Sequence, residues 1–405
     1  MSKPKKKIKV HSLTGRITID LMQKAWKAVR RNRGAAGVDK VSIDMYEANL
    51  QQNLESLMRK LKTRSYIPKP LKRKWIPKGP GKNAKLRPLG IPTVECRVAQ
   101  EVVRRLINNI FERKFHDNSF GFRPGRGCHH AAARVQSYLS KGYKYIVDAD
   151  IKGFFDNIPH KLIVDELSSE IADGNILGLV ERFLTAGVME DGKLHPTTRG
   201  TPQGGVISPL LANAVLNQLD HKLEEKGYKF VRYADDFVIM CRTKRQAESA
   251  LDFATGVIEE ELQLELSKEK THISQAKDGF DFLGFTITSR KFTMREKSME
   301  KFKTKVKDVT KRSHNLDQKC IKKLNQILRG TVNYFTTPRT PARPWIELDQ
   351  WIRRRLRNMK KKRISKMDNI RLKNSVFNRL GLLNCQAHFQ RVKKRQCYSQ
   401  PWVTV

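Results

Sequence analysis

Three aspartates are the residues best suited to chemistry in this basic chain: Asp150 and the adjacent pair Asp235 and Asp236. Asp150 lies near the end of the strand-like run 145–151. Asp235 and Asp236 separate two apolar runs that predict a β-hairpin. If the hairpin lies beside that strand, the carboxylates converge and repel one another unless a cation neutralises them. Mg²⁺ suits such a site, because it accepts one or two carboxylates together with water and substrate phosphate. Two Mg²⁺ ions held there would support nucleotidyl transfer.

A purely structural role is the alternative for the same residues. Asp-Asp pairs are common in turns, and Asp150 could simply end its strand. In that strand Asp148 and Asp150 share one face, because side chains alternate along an extended chain. Spacing alone leaves both interpretations open.

The charge balance indicates a polyanionic partner. The 405 residues contain 81 Lys and Arg against 40 Asp and Glu, a net charge of +41. A field of this sign attracts phosphate backbones, so nucleic acid is the expected partner. No run approaches the roughly 18 apolar residues that span a bilayer, and the N-terminal Lys-rich arm has no apolar signal core. We therefore expect a cytoplasmic protein without a membrane partner.

The cysteines predict neither a disulfide framework nor a zinc site. No two of them form a CxxC pair, and no metal-binding spacing is present. We interpret them as reduced thiols, most of them packed in the interior. They are Cys96, Cys128, Cys241, Cys320, Cys385 and Cys397.

Hydrophobic periodicity predicts an α+β body followed by an all-helical region. The predicted helices are 21–31, 96–115, 206–223 and 244–264, with strands or hairpins in 66–92, 145–151, 229–241 and 279–288. Beyond about residue 294 the strand signals stop and helical spacing takes over. The expected divisions are a basic arm at 1–20, the α+β body at 21–293, the helical region at 294–381 and a short basic tail at 382–405.

Five segments resemble motifs of reverse transcriptases, and they occur in the order that the family has. Tyr233-Ala-Asp-Asp236 looks like the YxDD box, and Asp150-Ile-Lys-Gly-Phe-Phe-Asp156 resembles the motif with the other catalytic aspartate. The segment 200–213 is similar to the block whose Gln lies against the incoming nucleotide. Leu86-Arg-Pro-Leu-Gly-Ile-Pro92 resembles the fingers motif of the group II intron-encoded branch, and Phe282-Leu-Gly-Phe285 the primer grip.

The resemblance implies roles for individual residues. Asp150 and Asp235 would be side-chain ligands of the metal, the Ile151 carbonyl a third contact, and Asp236 a helper. Phe155 would lie under the sugar and exclude a 2′-hydroxyl, which selects deoxynucleotides. Further contacts to the deoxynucleoside triphosphate (dNTP) are implied for Gln203, Arg87, Lys85, Lys78 and Lys270.

Two other segments resemble nucleic-acid-binding parts of group II proteins. The loop 32–39, with Gly34 and Gly37, is similar to the extension that contacts the template. Residues 321–335 look like the thumb, also called maturase domain X. The basic run that follows has eight cationic residues in eleven, and like charges this dense favour an RNA contact. Those residues are Arg353, Arg354, Arg355, Arg357, Lys360, Lys361, Lys362 and Arg363.

The resemblance therefore implies right-hand polymerase fingers and palm, α+β in class, followed by an all-helical thumb. The implied activity is RNA-directed DNA synthesis with two Mg²⁺ ions, using dNTPs, an RNA template and a DNA primer. A structured intron RNA would be a further partner in splicing, and a DNA target in retrohoming. About 24 residues follow Gly381, too few to resemble the endonuclease of longer members, so the endonuclease-lacking branch is expected.

Two alternatives to this function stay open. The chain could be an RNA-binding maturase with a vestigial polymerase centre, although Asp150, Gln203, Asp235 and Asp236 are all present. It could also be a domesticated, free-standing reverse transcriptase used in repair or defence. Nothing in the sequence itself decides the second alternative.

Overall fold

The computed structural model describes residues 9–77, 86–201, 204–363 and 367–397. Helices in these ranges are α1 (Ile19–Arg31), α2 (Ile43–Ala48), α3 (Leu50–Lys62), α4 (Val94–Glu112), α5 (Cys128–Ser140), α6 (Phe154–Asn157), α7 (His160–Ser168), α8 (Gly174–Thr185), α9 (Ser208–Glu225), α10 (Lys244–Gly256), α11 (Glu296–Val309), α12 (Gln318–Phe335), α13 (Arg343–Lys361), α14 (Asp368–Arg371), α15 (Asn374–Arg379) and α16 (Cys385–Cys397). Strands are β1 (Leu71–Pro77), β2 (Leu86–Ile91), β3 (Tyr145–Asp150), β4 (Val188–Glu190), β5 (Lys193–His195), β6 (Lys229–Tyr233), β7 (Asp236–Cys241), β8 (His272–Gln275), β9 (Phe280–Phe282), β10 (Phe285–Ile287) and β11 (Phe292–Met294).

The strands form three small sheets. The central sheet has the order β6-β7-β3-β8, and every neighbouring pair in it is antiparallel. A second sheet joins the β1-β2 hairpin to the β4-β5 hairpin through a short parallel pairing of β1 with β4. The third is the antiparallel meander β9-β10-β11.

The central sheet is stable because both of its faces are covered. Val147, Phe237 and Ile239 pack into the large core that also holds helices α1, α4 and α9, whereas Ile146 and Val238 pack into a second core with α5 and the β9-β10-β11 meander. Strands buried on both sides read as continuous apolar runs. This explains why the run 237–241 contains no polar residue.

The C-terminal region is helical throughout its described part. Helices α11, α12, α13 and α16 enclose a separate apolar core that includes Leu324, Leu328 and Leu356. Helix α16 packs on α12 and α13, and buries Cys385 and Phe389 in that core. The segment expected to be a basic tail therefore contains a packed helix, and the predicted division after residue 381 does not coincide with a break in the packing.

The predicted fold class and the helical C-terminal region are confirmed. The hairpin at 229–241 and the helix starting near residue 206 are also observed. The helix expected over 244–264 differs, because its α-helical part ends at Gly256 and a π-helical turn follows at Val257–Glu261. Among the described residues, none of the helices combines the length and the apolar character that crossing a membrane requires.

Candidate active site

The strand register brings the predicted aspartates together at one end of the central sheet. Asp150 on β3 is the direct antiparallel partner of Asp236 on β7. Directly opposed residues project from the same face, so these two carboxylates are neighbours. Ala234 and Asp235 form the two-residue turn that joins β6 to β7, and Asp236 is the first residue of β7. Ala234, the first residue of that turn, has a φ of +60°, as tight hairpin turns require at this position.

A buried arginine holds the same hairpin in place. Arg232 is fully buried, and its guanidinium donates to Asp220 Oδ1 at 2.8 Å and to Asn213 Oδ1 at 2.9 Å. Its Nη1 also donates to the Ala234 carbonyl at 2.9 Å, next to Asp235. Sequence analysis missed this residue, although a charged residue directly after Phe230 and Val231, inside an apolar strand, was a signal for a buried ion pair.

Burial and, after it, repulsion between neighbouring carboxylates raise the pKa of three aspartates at this edge. Burial, followed by repulsion from Asp148, Asp235 and Asp150, raises the pKa of Asp236 to about 7. Burial is also the main reason that the pKa of Asp148 is raised to about 6 and that the pKa of Asp235 is raised. The surroundings of these aspartates therefore disfavour their charged forms.

Two cations partly offset this charge. Lys270 Nζ lies 2.7 Å from Asp150 Oδ2, at the end of a loop anchored to β3 by the Ser267 amide, which donates to the Asp150 carbonyl at 2.8 Å. The positive charges of Arg87 and Lys270 act to lower the pKa of Asp235, against the larger effect of burial. Lys270 thus lies at the acidic cluster, while Arg87 is exposed on β2, and a nucleotide contact stays a prediction for both.

The donor set suits Mg²⁺ in an open site. Among the described residues no group of three or more His, Cys, Asp or Glu side chains is arranged to enclose a metal ion. Mg²⁺ does not need such an enclosure, because it is usually held by one or two carboxylates and completes its shell with water and substrate phosphate. Asp150 and Asp235 would supply that carboxylate pair. Ile151, whose carbonyl was the third predicted contact, is buried where the chain bridges to Leu266.

We expect the Asp236→Asn protein to be more stable than the wild type without metal, and the advantage to grow with pH. A carboxyl whose pKa is raised on folding stabilises the fold at pH below its unfolded value, near 4, and this contribution is lost as pH rises through about 7. Asn removes the charge that Asp148, Asp150 and Asp235 oppose.

Melting temperatures in EDTA at pH 5 to 8 measure this effect. The difference between the proteins should reach roughly 3 °C at pH 8. A difference that stays constant over this range would contradict the assigned pKa.

The structure describes only some of the residues expected to contact the nucleotide. Phe155 is half-buried with its ring centroid 5.4 Å from that of Phe154, which is in the core. The Phe155 carbonyl accepts a hydrogen bond from the Thr201 amide at 2.6 Å. A side chain at Gly200 would approach the Asp156 carbonyl to 2.6 Å, so this position requires glycine. Gln203, Lys78 and Lys85 lie outside the described residues.

The loop expected to contact the template packs against helix α4. A Cβ atom at Gly37 would lie 2.7 Å from the Cα of Thr93, and Arg97 occupies the space that a side chain at Gly34 would need. The Arg97 guanidinium also donates to the Ala35 carbonyl. A cleft of about 290 Å³ is lined jointly by Gly34, Leu89 of β2 and Gly204, so the segments of three predicted motifs meet there.

The residues of the basic run, which starts on helix α13 and continues past its end, differ in exposure and in their contacts. Arg354, Lys360 and Lys361 are exposed. Lys362 and Arg363, also exposed, bond within the protein: the Lys362 ammonium donates to the carbonyls of Arg312 and His314, and Arg363 pairs with Asp368 at 3.2 Å. Arg353 is half-buried.

Two residues of this run differ from the prediction. Arg357 is buried, donates to the Leu372 carbonyl and to Asn374, and lies over the ring of Phe377. Arg355 Nε donates to Thr310 Oγ1 at 2.7 Å. Because these guanidinium groups hold neighbouring segments of the helical region, the structure favours a structural role over the predicted RNA contact for both.

Comparison with known proteins agrees with this arrangement. Residues 76–287 match the family described as reverse transcriptase (RNA-dependent DNA polymerase), and residues 299–379 match the group II intron maturase-specific domain. Protein YkfC of Escherichia coli is 33% identical over 63% of this chain and 76% of its own length. The group II intron-encoded protein LtrA of Lactococcus lactis is 31% identical over 67% of this chain, which spans only 55% of LtrA.

A distant structural likeness was also found. Telomerase from Candida albicans, solved with a fragment of telomeric RNA, aligns over 90% of this chain and 68% of its own, with a TM-score of 0.46 and 12% identity. The assignment instead depends on the two family matches and on the relatives in sequence. With its reverse transcriptase domain followed by a maturase-specific domain, the chain belongs to the group II intron-encoded reverse transcriptases.

Proposed function

We propose that the protein is an RNA-directed DNA polymerase that extends a DNA primer on an RNA template. The observation that carries the proposal is the register that sets Asp150 opposite Asp236 and beside the turn bearing Asp235. In this proposal Asp150 and Asp235 bind Mg²⁺, and Asp236 adjusts the charge of the site. The bound ions would activate the primer hydroxyl and stabilise the leaving oxygen of phosphoryl displacement.

The cations near the acidic cluster act on the phosphates in this proposal. Arg87 would bind the triphosphate through its planar guanidinium, and Lys270 would leave Asp150 for the phosphates once Mg²⁺ is bound. The ion pair of Lys270 with Asp150 supports this role, because the same ammonium compensates the carboxylate without metal. Gln203, Lys78 and Lys85 stay predictions for the nucleotide contact.

We also propose that the protein binds a structured group II intron RNA, assists its splicing, and takes part in retrohoming into a DNA target. The net charge of +41, the maturase-specific domain and the exposed Arg354, Lys360 and Lys361 support an RNA partner. Charge by itself gives only salt-sensitive, non-specific affinity, so specificity for one RNA would need shape and base contacts. A cytoplasmic location stays a prediction.

We expect Phe155→Ala to admit ribonucleotides. The half-buried ring packs edge-on against the core residue Phe154, and the backbone of Phe155 is hydrogen-bonded to Thr201. We expect incorporation of ribonucleotides relative to deoxynucleotides to rise by about ten-fold or more, since a single removed clash is worth on the order of 1 to 3 kcal/mol in discrimination.

Single-nucleotide extension with matched ribo- and deoxynucleotides measures the ratio. Phe154→Leu is the matched control and should change stability rather than sugar selection. Unchanged discrimination in Phe155→Ala would remove the assignment of this ring.

A primer-extension assay separates the proposal from its alternatives. The wild-type protein, an RNA template, a DNA primer, dNTPs and Mg²⁺ should give extended product, and Asp150→Ala should not. Absence of extension by the wild type would favour a maturase with a vestigial centre. Extension by a protein that ignores the RNA encoded around its own gene would favour a free-standing polymerase in repair or defence.

A further inference from the structure

Phe122 combines exposure with an unusual backbone. Its side chain is 58% exposed, and its φ of +58° lies in the left-handed region that bulky residues seldom occupy. Glycine would fit this backbone better, and an exposed ring contributes little to packing. Strain of this kind persists where the surroundings enforce it and is concentrated at functional sites.

The loop that carries Phe122 is held rigidly. The side chain of its neighbour Arg123 is only 2% exposed, with Nε 2.9 Å from Glu112 Oε1 and Nη1 2.9 Å from the Ser119 carbonyl. Arg126 donates to Asp117 on the other side of the loop. A ring presented from a fixed loop loses little conformational freedom when it binds a ligand.

The same loop contacts the hairpin of the acidic cluster. The Phe120 amide donates to the Arg232 carbonyl at 2.9 Å, and a Cβ atom at Gly121 would lie 2.3 Å from the Ala234 nitrogen. Phe122 follows Gly121 by one peptide, about 3.8 Å between Cα atoms. The exposed ring is therefore carried beside the turn that bears Asp235.

We propose that Phe122 binds the primer–template by packing its ring against a base or sugar next to the reacting end. The inference rests on the proposed polymerase function, and it adds a binding residue that none of the five sequence motifs contains. Nucleic acid is the favoured occupant because an aromatic face stacks on any base and because the chain carries a net charge of +41. Phe122 takes no part in the chemical step.

Equilibrium binding of a fluorescent primer–template tests the proposal on the full chain. Phe122→Ala should weaken affinity on the order of ten-fold, the typical loss for one base–aromatic contact, whereas Phe122→Tyr and Phe122→Trp should bind like the wild type. Ile67→Ala is the matched control, since Ile67 is an exposed apolar residue in the segment between α3 and β1.

Two further measurements separate binding from folding and locate the contact. Phe122→Gly should melt at or above the wild-type temperature, because it relieves the backbone, yet bind as weakly as Phe122→Ala. A single abasic site can be placed at each position of both strands in turn. At one position near the primer end, the abasic site should abolish the difference in affinity between the wild type and Phe122→Ala.

The proposal is overturned if Phe122→Ala binds within two-fold of the wild type, a result that would assign the ring to another partner such as a protein. It is also overturned if Phe122→Tyr binds as weakly as Phe122→Ala. Binding of the primer–template can be measured without extension. If the wild type binds the primer–template but does not extend it, the polymerase function is rejected, and the affinities of the Phe122 variants still test the proposed contact. A wild type that binds no primer–template rejects both.

Discussion

Replacing Asp235 with Asn should lower the rate of RNA-templated extension by about a thousand-fold or more. The substitution keeps the shape of the side chain and removes the charge that would hold Mg²⁺ beside Asp150. Ion contributions of several kcal/mol to the transition state correspond to this loss, at about 1.4 kcal/mol for each factor of ten. Single-turnover extension with saturating primer–template, dNTP and Mg²⁺ measures the rate of the chemical step.

Asp236→Asn is the matched control for this prediction. In the proposed site Asp236 adjusts the charge, whereas Asp235 would be a ligand of Mg²⁺. We expect the loss of Asp236 to cost activity less than the loss of Asp235. The reverse order, with Asp235→Asn active and Asp236→Asn inactive, would exchange the two assigned roles.

Replacing Asp220 with Ala should destabilise the protein by about 3 to 5 kcal/mol, the usual cost of leaving a buried charge without its partner. Both side chains of the Asp220–Arg232 pair are 0% exposed, so water cannot compensate the arginine. The Arg232 guanidinium also bonds to the Ala234 carbonyl, and the β6-β7 hairpin should loosen with it. Thermal and denaturant unfolding of the full chain measure the loss.

Two variants check this explanation. Glu265→Ala removes an ion pair with Lys152 in which both side chains are more than half exposed, and it should change stability by less than about 1 kcal/mol. A double replacement of Asp220 and Arg232 by Leu and Met should recover part of the loss, because no charge is then left buried. A loss below about 1 kcal/mol in Asp220→Ala would show that Arg232 finds another partner.

Three of the four strands of the central sheet, β3, β6 and β7, could be predicted from the sequence because their signals are local, whereas β8 was not predicted. Apolar runs on either side of Ala234 and Asp235 predict a hairpin, and the alternation of Asp148 and Asp150 predicts a shared face. The pairing register of these strands could not be predicted. A shift by one residue would turn the carboxylates to the other face of the sheet, and only the packing of both faces decides which pairing forms. The structure pairs Asp150 with Asp236, whereas sequence reasoning emphasised Asp235.

The basic run on α13 shows a different limit. Six of the eight cationic residues lie on α13 within about three turns, so they surround the helix and some of them face its packed side. The sequence does not reveal that Arg357 reaches the Leu372 carbonyl, because residue 372 belongs to a later segment that folds back on the helix. Helix α16 was not predicted for a related reason, because it has few apolar residues. The residues that bury Phe389 belong to α12 and α13, so its burial cannot be inferred from the local sequence.

Cation binding at the acidic edge tests the central claim most directly. Electron paramagnetic resonance of Mn²⁺, with a chain-terminated primer–template and dNTP present, can compare the wild type with Asp150→Asn and Asp235→Asn. If the two carboxylates share an ion, each single variant should lose the tight binding, and the double variant should lose no more. Tight Mn²⁺ binding that survives in both single variants would contradict a shared ion and the polymerase centre built on it.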